Sequence, residues 1–156
     1  MVTFTKPNCV YSVEISSAAS EIMVKESQRS GSKETGGILI GNYREDGHLA
    51  FVVEATPCPS DSLYTPCSFQ RGNAGLVNLL SKRWKEGLFY IGEWHYHPGG
   101  STEPSGPDIR VMRDIAMNPA YSCREPILII VGGYPPDAID FSVTVIPLHN
   151  ALIRLS

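Results

Sequence analysis

The sequence predicts an α/β or α+β sandwich built on a mixed sheet. Three observations carry that expectation. Short apolar or alternating segments of strand length recur along the chain, stretches of helical period are interleaved with them, and Asp46-Gly47 is a tight-turn sequence between two such strands. A chain of 156 residues can bury one substantial core but not two, so residues 1–156 are expected to form a single domain. Strand order is not fixed at this level.

Taken in order, Val10 to Ile15 alternates Tyr11, Val13 and Ile15 against Ser12 and Glu14, as a half-buried strand does. Ser16 or Ser17 can cap a helix running to about Ser30, with Ala18, Ile22 and Met23 at helical spacing and Gly31 as terminator. Ile38 to Tyr43 and His48 to Ala55 are the strands of the hairpin. Thr56 to Pro66, with three prolines, has no period and predicts a surface loop, followed by a short strand near Cys67 to Arg71. Asn73 to Glu86 is helical by its Leu76, Val77, Leu80, Trp84 stripe, which is expected to face the core. Leu88 to Trp94 is a strand, Ser105 opens a helix that closes before Pro119, and Pro126 to Val131 is an apolar run suited to a central strand. Asp140 to Leu148 alternates as a further strand, and His149 to Ser156 is a short helix or strand.

Bulk properties exclude several functions. The net charge is −3 and no Lys/Arg cluster occurs, so a nucleic-acid partner is not expected. No stretch has the roughly 18 apolar residues of a membrane span, and Met1 to Pro7 lacks the apolar core of a signal peptide. The expected location is cytoplasmic. Cys9, Cys58, Cys67 and Cys123 show no Cys-x-x-Cys spacing, so reduced thiols are expected and no function is attached to them.

The chemistry concentrates between Gly92 and Asp108. The strand ends in His95-Tyr96-His97, then Pro98 and two glycines stop it. Side chains alternate along a strand, so both imidazoles share one face while Trp94 and Tyr96 take the other. Ser105 and Asp108 follow at the start of the next helix and return a carboxylate to the histidine pair. Two imidazoles and a carboxylate leave a fourth position on a tetrahedral zinc for water, whose pKa then falls to about 7, as in catalytic rather than structural sites. Glu34, at the entry of the Gly36-Gly37 strand, is the candidate to take a proton from that water and pass it to a leaving amine.

Together Glu34, His95-Tyr96-His97-Pro98, Ser105 and Asp108, in the spacing H-x-H-x7-S-x2-D, resemble the signature of the JAMM metalloproteases, also called the MPN+ or JAB family. The resemblance covers most of the chain and is nearest to the prokaryotic JAB branch. Eukaryotic members usually carry Ser or Thr where Tyr96 stands. It implies the MPN fold, a curved mixed sheet flanked by helices with a cytidine-deaminase-like architecture. It further implies one zinc ion on His95, His97 and Asp108, with Glu34 and Ser105 catalytic, Ser105 stabilising the tetrahedral oxyanion. The implied activity is isopeptidase or peptidase cleavage after the C-terminal glycine of a ubiquitin-like or similarly conjugated protein. Small prokaryotic members often accompany activating-like and conjugating-like enzymes in antiphage operons, where a nucleotidyltransferase is deconjugated from its targets. The substrate's tail is expected along a sheet edge near Gly36-Gly37.

Each residue also has a plainer reading. His-x-His alone is more often an exposed pair, and Ser105 with Asp108 is also a helix-capping pattern. The joint spacing with Glu34 tips the balance to a metal site. Glu103 is expected to be an ordinary loop charge, and His48 and His149 lie outside the constellation. A zinc deaminase would need His-x-Glu with Pro-Cys-x-x-Cys, a metallo-β-lactamase-type hydrolase His-x-His-x-Asp-His, and a zincin His-Glu-x-x-His; none is present. Two alternatives stay open: a non-catalytic MPN-type binding module, and a hydrolase releasing cysteine or sulfur from a small carrier protein.

Overall fold

The computed structural model describes residues 1–156, apart from the side chain of Glu45. Its elements are β1 (Val2–Phe4), β2 (Ser12–Ile15), α1 (Ser17–Ser30), β3 (Thr35–Arg44), β4 (Leu49–Ala55), β5 (Leu63–Thr65), β6 (Ser68–Gln70), α2 (Leu76–Trp84), β7 (Phe89–Tyr96), α3 (Gly106–Met117), β8 (Ile127–Tyr134), β9 (Ala138–Val145) and β10 (Ile153–Leu155). Eight strands form one sheet in the order β1-β2-β4-β3-β7-β8-β9-β10, while β5 and β6 make a separate hairpin. The pairs β2–β4 and β7–β8 are parallel and the other described pairs antiparallel, so the sheet is mixed. A parallel pair needs a crossover, and α3 supplies it between β7 and β8.

Helices cover both faces. On one, Ala19 and Met23 of α1 pack with Trp94, Tyr96, Val52 and Val131; on the other, Leu76 of α2 and Met112 and Ile115 of α3 pack with Ile38, Ile40, Leu128 and Ile130. Burial on both faces explains why β8 is a continuous apolar run rather than an alternating one. The mixed sheet with flanking helices is the architecture the sequence predicts. No helix is long and apolar enough to cross a membrane among the described residues.

Local chemistry sets the helix ends. The Ser16 hydroxyl accepts the Ala19 N–H at 3.1 Å, and Gly31 closes α1 with φ +64°. The buried stripe of α1 is Ala19, Met23 and Ser27, so Ala19 rather than Ala18 faces the sheet. Asp61 accepts the N–H groups of Asn73 (3.0 Å) and Ala74 (2.9 Å) just before α2.

Two further expectations are corrected. The segment Thr56 to Pro66 is not all loop, because Leu63–Thr65 pairs with Ser68–Gln70; three residues are too few to print a period. The α2 stripe is core only in part: Leu76 is buried and Leu80 packs partly buried against the core, but Val77 is 74% and Trp84 68% exposed, because α2 lies over the sheet through its Leu76–Leu80 side. Gly36 and Gly37 pair with β7 on one side, while the described β3–β4 pairing begins only at Leu39. The C-terminal segment resolves to a strand, β10, paired with β9.

Candidate metal centre and active site

The site forms where β3 begins and β7 ends. β7 carries His95 through its last turn of pleat, and the His97 N–H donates to the Val131 carbonyl at 2.9 Å, which prolongs the β7–β8 pairing past the strand. Trp94 and Tyr96 enter the α1-side core, and Trp94 Nε1 donates to the Thr56 carbonyl at 2.9 Å. His95 therefore faces the opposite side, where the Phe69 ring meets it edge-on with centroids 5.3 Å apart. A Cβ at Gly36 would collide with the Trp94 carbonyl and the His95 ring, so glycine there lets β3 approach the imidazole.

α3 brings the carboxylate. Ser105 is its N-cap, and a reciprocal capping box links Ser105 Oγ to the Asp108 N–H (3.1 Å) and Asp108 Oδ2 to the Ser105 N–H (2.8 Å). The capping and site readings of this pair thus coincide in one geometry. Asp108 spends one oxygen on each imidazole: Oδ1 lies 3.0 Å from His95 Nδ1, and Oδ2 lies 3.3 Å from His97 Nε2. Burial opposes ionisation of Asp108, yet its hydrogen bonds to both histidines and to the Ser105 N–H outweigh it and hold the carboxyl well below the usual range. The hydrogen bond from Asp108 raises the His97 pKa despite burial.

These side chains touch each other rather than surround a ready-made coordination sphere. The donor set nevertheless suits a divalent ion. A tetrahedral ion with bonds of about 2.0–2.1 Å holds its donors roughly 3.3 Å apart, close to the spacing seen here. His97 Nδ1 lies 3.1 Å from the Ser101 carbonyl, a contact that fixes the ring and turns Nε2 toward Asp108.

Glu34, His97, Ser105 and Asp108 line one cleft of about 430 Å³; His95 and Asp108 line an adjoining one between β6 and α3. Burial raises the Glu34 pKa and nearby Asp108 adds to this, while His97 and His95 pull the other way. Its backbone is fixed by an N–H bond to the Thr65 carbonyl at 3.0 Å, so the β5–β6 hairpin holds the entry to β3. Ser105 Oγ uses a lone pair on Asp108, leaving its O–H as a donor at the cleft. Glu103 also lines this cleft and pairs with Arg154. The four cysteines are free thiols.

Two neighbours escape sequence reasoning. Phe69 has no motif around it. Glu93 is 2% exposed and accepts Arg71 Nε at 2.6 Å and the Tyr90 hydroxyl at 2.8 Å, two residues before His95. A charged residue inside an otherwise apolar strand is the one signal that could have marked it.

This fold and this constellation define a class. The family described as prokaryotic homologs of the JAB domain matches residues 16–144, and the chain belongs to it, hence to the JAMM-type hydrolases, for which a metal ion is implied. Among curated proteins it is 53% identical to the "CD-NTase/cGAS isopeptidase" of Enterobacter hormaechei subsp. hoffmannii over 154 residues, 99% of this chain and 86% of that one. It is 31% identical to the "probable metalloprotease y4qB" of Sinorhizobium fredii over 119 residues, 74% and 72% of the two chains. A protein of Desulfitobacterium hafniense solved in solution shares the fold, with a TM-score of 0.69, 18% identity and 91% and 88% coverage.

Proposed function

We propose that this chain is a single-domain, cytoplasmic, zinc-dependent isopeptidase that hydrolyses the amide between a protein's C-terminal glycine and a lysine. The observation that carries the reading is the convergence of His97 and Asp108 beside Glu34 and Ser105 in one cleft, with His95 held against Asp108 from the adjoining one. The name of the Enterobacter relative supports a CD-NTase conjugate as substrate, and the family resemblance of the site residues suggests a role in antiphage defence. An intact set of five site residues speaks against a non-catalytic module.

His95, His97 and Asp108 would hold the ion. When bound there, zinc supplies Lewis acidity toward the scissile carbonyl and toward water at neutral pH. The rest is done by the chain. Glu34, half-buried and with a raised pKa, accepts a proton from the attacking water and delivers it to the leaving nitrogen. The Ser105 O–H donates to the oxygen on which charge develops. The water oxygen bonds to the acyl carbon and the C–N bond breaks, so the products are a glycine carboxylate and a free lysine amine.

The test is zinc content together with cleavage of a lysine-linked, glycine-ended conjugate by the wild type and Glu34→Gln. One zinc per chain in both proteins is expected, with turnover reduced by about 10²–10⁴-fold in the variant, the range of a lost general base. Zinc-loaded wild type that leaves every such conjugate intact would refute deconjugation. Equal rates in the two proteins would refute the role of Glu34.

A further inference from the structure

A third cleft leaves the site on the other side of β7, and nothing above gives it a task. It is about 500 Å³, shares Pro66 and Pro98 with the Glu34–His97 cleft, and runs past the end of α1 to Tyr134 and Pro135 at the β8–β9 turn. Its floor is Tyr96, the residue between the two histidines, whose hydroxyl lies 3.4 Å from the carbonyls of both Gly31 and Gly133. Tyr134 is 70% exposed but held in place. Its ring lies against Gly99, where a Cβ would overlap it, and the Gly99 N–H donates to the Gly133 carbonyl at 3.0 Å. A large aromatic fixed by its neighbours and bare to solvent is a surface prepared for contact.

The polarity of the reaction says which half of a substrate belongs there. Resting on the isopeptidase reading, Glu34 must reach the nitrogen of the breaking amide, so the amine half leaves from the Glu34 side. Gly31 and Ser32, three and two residues before Glu34, line this cleft. The cleft between β6 and α3 is instead reached past His95 and Asp108 and contains neither Glu34 nor its neighbours. Chemistry agrees with position. The first stretch of the leaving group is a lysine stem of methylenes, and the junction is walled by two prolines. No charged side chain is among the residues that line the cleft, so a departing ammonium meets no carboxylate that would retain it.

We propose that this cleft receives the lysine-bearing half of the conjugate, with Pro66 and Pro98 flanking the lysine stem and Tyr134 packing on the residues next to that lysine. Tyr134 is a specificity determinant for the acceptor protein, and Tyr96 holds the two walls of its cleft together.

The test compares two substrates with the same glycine-ended peptide as acyl half: one joined to the lysine of a peptide, the other to aminomethylcoumarin. In Tyr134→Ser the ratio of kcat/KM for the lysine conjugate over the coumarin amide is expected to fall about tenfold, the scale of a lost apolar contact in a specificity pocket. Tyr134→Phe is expected to restore the ratio, which a general loss of stability or of metal would not move. An unchanged or increased ratio, with both substrates cleaved, overturns this inference and leaves the isopeptidase reading standing. A zinc-loaded wild type that cleaves neither substrate, or only the coumarin amide, overturns the isopeptidase reading and this inference with it.

Discussion

Replacing Arg71 by Met isolates one of the more buried charges in the molecule. The Arg71 and Glu93 side chains are 10% and 2% exposed and 2.6 Å apart, and Arg71 also donates to the Gly72 carbonyl, Asn73 Oδ1 and the Tyr121 hydroxyl. Burial works against the guanidinium charge, but Glu93 more than compensates and raises the Arg71 pKa. Breaking a buried pair by removing one partner costs about 3–5 kcal/mol, because the remaining charge is left without its counter-ion. Glu93 would keep the Tyr90 hydroxyl as a donor, which places Arg71→Met near the lower end, about 3 kcal/mol. For a chain of this size each kcal/mol shifts the midpoint by about 2–4 °C, so Tm should fall by about 6–12 °C. Arg71→Met with Glu93→Gln removes the stranded charge and should recover about 1 kcal/mol or more relative to the sum of the single variants. Urea unfolding of the four proteins in the cycle measures this. An Arg71→Met protein within about 1 kcal/mol of wild type, or a double variant equal to the sum, would refute the argument that Glu93 depends on Arg71.

Three further outcomes follow from the same physics. Ser105→Ala should lose about 1 kcal/mol of stability through the missing N-cap and, separately, about 10²–10³-fold in kcat, whereas Ser105→Thr should retain both; a kcat unchanged in the alanine variant would remove the oxyanion role. The N–H groups of Ala74 and Asn73 lower the pKa of Asp61 in the fold, so its contribution is present above the unfolded value of about 3.9 and is lost as pH falls through the folded one. Asp61→Asn should therefore flatten the acid limb of the stability curve. Burial pushes the Cys123 thiol up to about 11 while Cys67 is exposed, so a thiol reagent at neutral pH should modify Cys67 first and Cys123 only on unfolding, as mass mapping would show.

The elements with a strong local signal were legible in the sequence. Asp46-Gly47 marks the β3–β4 hairpin, Ser16 and Gly31 bound α1, and Ser105 with Asp108 announces α3, because turns and caps are decided by residues a few positions apart. The same locality made His95, His97 and Asp108 readable as one constellation. Glu34 could be offered as the proton acceptor from its place at a strand entry, but its spacing to the others was supported by the family resemblance alone, since β3 and β7 meet across some sixty residues of chain. What failed depends on distant partners. The period of Leu76, Val77, Leu80 and Trp84 reports an amphipathic helix, but not how much of its apolar face another element covers. Likewise, Phe69 owes its place against His95 to the β5–β6 hairpin, whose pairing no local residue announces.

The capping box has a consequence for the life of the protein before it is loaded. The Ser105 N–H aims the Asp108 carboxylate as part of starting a helix, and that helix is anchored by Met112 and Ile115 in the core, not by an ion. Small zinc-nucleated domains collapse when chelated because their ligands have no other reason to be ordered. Here, under the proposed function, the chain is expected to fold without the ion, which circular dichroism of a chelated sample would check. On the proposed zinc-dependent mechanism, starvation for the ion would then silence the protein reversibly rather than destroy it.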